Sequence, residues 1–221
     1  GSRAWYDAFI SYRWGETQFD SGLTRLVFDA MSNYTIGTDN RRVEVFLDIK
    51  RLQNGELLDR TFCKALVNSP VVVPIVSCDA LKRMTDHNAT LCDNVLLEWM
   101  CGFECQASEQ SQVKSCYPVF IGMIEQSATD GTDDAKIGNF FASGMIELLP
   151  DIVPEKTIAT ARELLLENGV TPSDKLSTYT VSSFFAEFRK LLAFMGDSCS
   201  TADLPSKVAG EINILMSEHP V

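Results

Sequence analysis

The sequence lacks the short motifs that most often mark an enzyme. It has no GxGxxG and no GxxxxGK[ST], so neither a dinucleotide fingerprint nor a phosphate loop is present. It has no GxSxG and no HExxH, which removes the hydrolase nucleophile elbow and the zinc-protease helix. Histidine is scarce: His87 and His219 both lie in polar segments, which argues against a Ser–His or Cys–His nucleophile pair. Any chemistry therefore falls to carboxylates and arginines.

Basic charge is also in short supply. Nineteen Lys and Arg face thirty Asp and Glu, a net charge of −11, which opposes binding to a nucleic-acid backbone. A local basic pocket for a small anion is still compatible with that balance. No apolar run reaches the roughly 18 residues that span a bilayer, so no membrane segment is expected in this chain. The seven cysteines (Cys63, Cys78, Cys92, Cys101, Cys105, Cys116 and Cys199) include no CxxC pair. An odd number in a chain of this size argues against a disulfide framework and for reduced thiols, as in a cytoplasmic protein. Cys101 and Cys105 would share a helix face near Cys92 and His87, so zinc deserves consideration. Without a CxxC pair, small buried side chains are the better reading, and no metal is expected.

What is present is an alternation of strands and helices. Gly1 and Ser2 read as a cloning remnant, which would make this an excerpt of a longer protein. Tyr6–Tyr12 (YDAFISY) is a short apolar run suited to a buried strand. Leu23, Leu26, Val27, Ala30 and Met31 follow at helical spacing. Val43–Leu47 reads as a second strand, and Leu57, Leu58, Phe62, Ala65 and Leu66 as a second helix. Val71–Val76 (VVVPIV) is the central strand, with Pro74 calling for a bulge or an early end. A long polar loop is expected from Cys78 to Cys92. Asp93 then caps a third helix whose core face is Leu96, Trp99, Met100 and Phe103, with Glu98 off that face beside Asn94 and Cys105. Tyr117–Ile121 is the fourth strand. Met145–Leu149 reads as a fifth strand or a short helix. Helical stripes run through Ile158, Ala161, Leu164 and Leu165, through Val181, Phe184, Phe185, Phe188, Leu191 and Leu192, and more weakly through Val208, Ile212 and Leu215. This order predicts an α/β fold with a parallel sheet between two helical layers.

Four segments carry a resemblance: YDAFISYR, VFLDIKRLQNGE, VVVPIVS, and DNVLLEW followed by YPVFIG. In this order they resemble the TIR (Toll/interleukin-1 receptor) domain family. Tyr6, Asp7, Phe9, Ile10, Ser11 and Tyr12 match its first box, and Phe46, Asp48 and Gly55 its second. The likeness is good over about residues 4–122 and loose over 123–196. It implies a TIR domain over 3–196, with 197–221 a tail carrying a weak helix. It also implies a flavodoxin-like three-layer sandwich with a five-stranded sheet in the order 2-1-3-4-5, plus extra C-terminal helices. Ligands of such sheets bind beyond the carboxyl ends of the strands, where the strand order reverses.

Many TIR domains hydrolyse NAD at the nicotinamide–ribose bond, using a glutamate on the third helix. The resemblance puts that role on Glu98 and makes NAD+ a substrate, with no cofactor required. Ser11, Arg13, Trp14, Asp48 and Asn94 become the candidate substrate-binding residues. The family commonly has a tryptophan four residues before the glutamate. Asn94 stands there instead, leaving Trp99 and Trp14 as candidate aromatics. Other TIR domains act by self-association, with other TIR domains as partners. A non-catalytic scaffold is thus the alternative. A phosphorylation receiver on the same fold is disfavoured, because the third strand ends Val76-Ser77 with Asp79 displaced.

Overall fold

A computed structural model describes residues 6–13, 18–36, 40–47, 61–85, 92–125 and 135–218. The chain begins with β1 (Ala8–Ser11), α1 (Gln18–Ser32), β2 (Thr35–Ile36), β3 (Arg41–Arg42) and β4 (Val45–Leu47). It continues with α2 (Thr61–Val67), β5 (Val71–Ser77), α3 (Cys78–Lys82), α4 (Asn94–Gln106), β6 (Ser115–Cys116) and β7 (Val119–Ile121). It ends with β8 (Ile124–Glu125), β9 (Lys136–Ile137), α5 (Glu155–Glu167), α6 (Val181–Phe188), β10 (Phe194–Met195) and α7 (Leu204–Glu218). The main sheet runs β10-β7-β5-β1-β4, with every pairing parallel and β6 also joined to β5. In order of appearance this is 2-1-3-4-5, the flavodoxin-like arrangement.

Side-chain alternation along the strands feeds two cores. Phe9, Val72, Val76 and Phe120 face one layer, with Phe62 and Leu66 of α2, the buried side of α4, Leu164 of α5, and Phe184 and Phe188 of α6. Ala8, Ile10, Val71, Val73, Ile75 and Val119 face the other, covered by Leu23, Val27 and Met31 of α1 and by Leu204, Val208, Ile212 and Met216 of α7. The weak stripe near the C-terminus is therefore a fifteen-residue helix packed against α1. Among the described residues no helix is long and apolar enough to cross a membrane.

Several expectations need correction. β5 runs through Pro74 without a bulge or an early end. The partner strand is interrupted instead. Val72 pairs with Cys116 and Ile75 with Val119, so one register carries both segments and sets Pro74 opposite Pro118. The two residues that cannot donate share one gap between β6 and β7, and YPVFI yields a strand only from Val119. Met145–Leu149 is neither strand nor helix but a series of turns. The fifth strand is Phe194–Met195, paired with Val119 and Phe120. α6 stops at Phe188, so Leu191 and Leu192 lie beyond the helix their spacing suggested. The expected loop after β5 opens with α3, because the Ser77 side chain accepts from Ala80 N at 2.9 Å and caps it.

Asp7 has a structural explanation. It is buried, accepts from both terminal nitrogens of Arg41 at 2.7 and 2.6 Å, and accepts from Glu44 N at 2.8 Å. This fork ties the β2–β3 hairpin to the amino end of β1.

Four thiols gather where α2, α4 and β6 meet the sheet: Cys63, Cys101, Cys105 and Cys116 are all buried. Contact with the Cys63 thiol, then burial, pushes Cys101 well up, and burial is the main cause raising Cys105 and Cys116. Among the described residues, no three potential ligands are grouped to hold a metal, and His87 lies outside them. Only Cys92 and Cys199 are part-exposed, and burial raises both of these as well. A small thiol reagent at neutral pH should thus modify at most these two, and slowly. The other five should react only on unfolding. Mass spectrometry of labelled native and denatured protein checks this; rapid native labelling of Cys101 or Cys105 would contradict the packing.

Candidate functional site

β1 delivers Ser11 to the carboxyl end of the sheet, between β4 and β5. This is where the strand order reverses, because the chain leaves β1 for β4 on one side and returns to β5 on the other. α4 begins above this point. Asp93 is its N-cap, and Asp93 Oδ1 accepts from Val95 N at 3.0 Å and Leu96 N at 2.9 Å. Gly102 lets the helix lie close on the sheet, since a Cβ there would stand 3.1 Å from Val72 Cγ1.

Two side chains from β1 and its continuation grip α4. Ser11 Oγ donates to Glu98 Oε2 at 2.6 Å. Arg13 Nη2 donates to Asp93 Oδ2 at 2.6 Å, and its Nε donates to Ala80 O at 3.0 Å. The burial of Ser11, Tyr12 and Arg13 alternates, with Tyr12 the more exposed, so Ser11 and Arg13 share a side. The spacings agree: five helix residues rise about 7.5 Å and two strand residues about 6.6 Å. The helix runs antiparallel to the strand, with its start beside Arg13 and Glu98 beside Ser11.

The placement of Glu98 corrects the sequence reading. It was expected off the core face with Asn94 and Cys105, yet it is only 2% exposed, and Cys105 is fully buried. α4 packs between the sheet, α2 and α5, so nearly its whole circumference is covered. The apolar stripe showed one buried side and could not show that polar partners line the others. Asn94 does project outward and is exposed. Trp99 does not supply an aromatic for stacking at the site. It is fully buried, stacked on Phe188 at 5.9 Å and edge-on to Phe185 at 5.8 Å. Trp14, Asp48 and Gly55 lie outside the described residues.

The structure thus brings Ser11, Arg13 and Glu98 together and adds Asp93 and the Ala80 carbonyl. Asp93 was recognisable as a helix cap. Its second role, as partner of Arg13 across 80 residues, has no local signal. A buried guanidinium left without its carboxylate is costly, as is a lost cap. Asp93→Ala should therefore destabilise the fold by on the order of 3 kcal/mol, and Asp93→Asn, which keeps an oxygen for the cap but turns an amide toward the Arg13 guanidinium, should still lose most of that. Chemical denaturation of the two variants checks this; equal, small losses would mean that the Arg13–Asp93 link is not a brace.

Chemically, the group offers a buried carboxylate that accepts from a hydroxyl, beside an arginine–aspartate ion pair. A carboxylate so placed can stabilise developing positive charge. No protein-family model matches the chain, and no curated protein matches it.

Proposed function

We propose that this chain is a TIR-type NAD+ glycohydrolase, with Glu98 as the working carboxylate. The observation that carries the reading is the position of Glu98 at the carboxyl end of β1, at the reversal of strand order in a 2-1-3-4-5 sheet. The chemistry needs little more. The bond between ribose C1′ and the pyridinium nitrogen breaks, and its electron pair leaves with nicotinamide, which departs neutral without a proton. Positive charge builds on the ribose, where an anionic carboxylate stabilises it. Water adds at C1′ and loses a proton to give ADP-ribose, or an adenine nitrogen adds to give the cyclic product. Arg13, Trp14, Asp48 and Asn94 are the candidate surroundings for the rest of the nucleotide.

Glu98 is 2% exposed in the single chain, so its surroundings must part for NAD+ to reach it. We read the site as one completed when copies of the domain associate, in a cytoplasmic signalling or defence protein. The same burial favours a second reading, in which Glu98 is only a brace for α4 and the domain is a non-catalytic scaffold acting through TIR–TIR association. Nicotinamide release from NAD+ by concentrated protein decides between them. The first reading expects release that Glu98→Ala removes; the second expects none.

A further inference from the structure

We infer that Ser11 is a positioning residue for Glu98 and not a ribose-binding group; this rests on the reading of Glu98 as the working carboxylate. The two side chains meet at 2.6 Å although 87 residues separate them. Ser11 has no exposed surface, so a ribose hydroxyl has no path to its Oγ while Glu98 is seated over it.

What the two residues contribute differs. Ser11 ends a strand held on one side by β4 and on the other by β5, where it is registered against Pro74. Its single side-chain torsion puts Oγ in a nearly fixed place. Glu98 has three torsions, and ordering such a side chain costs rotamer entropy. A fixed donor at one carboxylate oxygen selects one of its arrangements. The sheet thereby imposes its own rigidity on the carboxylate, as a catalytic group requires. The Arg13–Asp93 link, about one and a half turns toward the helix start, keeps α4 from sliding along β1, so the hydroxyl and carboxylate stay in register.

A positioning hydroxyl should affect turnover rather than binding. The experiment measures nicotinamide release from NAD+ by wild type, Ser11→Ala, Ser11→Cys and Ser11→Thr. Cysteine keeps the volume with a weak donor, so a loss of rate there does not come from a cavity. Alanine and cysteine should lower kcat by about 10- to 100-fold with KM within about threefold, and threonine should restore most of the rate. Denaturation of Ser11→Ala, Glu98→Ala and the double variant runs beside it and should show non-additive midpoint shifts whether or not the protein turns over NAD+. Raised KM with kcat unchanged would overturn the inference in favour of a ribose contact. Unchanged kinetics in an active protein that still needs Glu98 would overturn it outright. Midpoint coupling without nicotinamide release from wild type would sink the glycohydrolase reading and reduce Ser11 to a structural partner.

Discussion

A chain cut after Ser198 should fail to fold. Removing the segment that contains α7 strips Leu204, Val208, Ile212 and Met216, all nearly fully buried, from one face of the sheet. Burial of each such side chain is worth roughly 1.5–3 kcal/mol, so the four together contribute roughly 6–12 kcal/mol. A domain of ordinary stability has only about 5–15 kcal/mol to lose. The cut also uncovers Leu23, Val27 and Met31 on α1 and removes Glu211, which accepts the hydrogen bond of Tyr117. Circular dichroism and size-exclusion chromatography of the shortened chain should show loss of native signal and aggregation. A shortened chain that melts cooperatively at the wild-type temperature would instead make α7 an appendage, such as an edge cap, a dimer surface or the start of a linker.

That helix shows where the sequence is informative and where it is not. β1 and β5 were legible because a strand buried on both faces is a bare apolar run, and their order among helices predicts the parallel sheet. α4 was legible from its cap and stripe. The end of the sheet was not. Phe194–Met195 is two residues long and follows directly on the apolar run through Phe188, Leu191 and Leu192, so no change of period marks it. With the fifth strand misplaced, the helix after it looked like a tail. The gap shared by Pro74 and Pro118 was hidden for a related reason: each proline is visible in the sequence, but their coincidence is a matter of register between strands.

The candidate site divides in the same way. Glu98, Arg13 and Ser11 could be singled out through the resemblance and Asp93 as a helix cap, but their pairings could not, because Ser11, Ala80 and Asp93 meet their partners across long stretches of chain. Periodicity describes how a helix meets one apolar surface. It does not report that a second side of α4 is closed by the hydroxyl and guanidinium that follow from β1. For that reason Glu98 looked solvated in the sequence and is buried in the fold.

The most direct measurement is nicotinamide release from NAD+ by wild type, Glu98→Gln and Glu98→Ala, at protein concentrations high enough for association, with folding confirmed by thermal melting. Glutamine keeps the size of the side chain and an oxygen to accept from Ser11, so it removes the charge while sparing the brace. Loss of an electrostatic stabiliser of this kind lowers kcat by about 10²–10³-fold, and alanine should do at least as much. Wild type should release nicotinamide, and release should fall below detection or by at least that factor in both variants while Glu98→Gln still folds. Folded Glu98→Gln that releases nicotinamide at the wild-type rate, or associated wild type that releases none, would contradict the glycohydrolase reading.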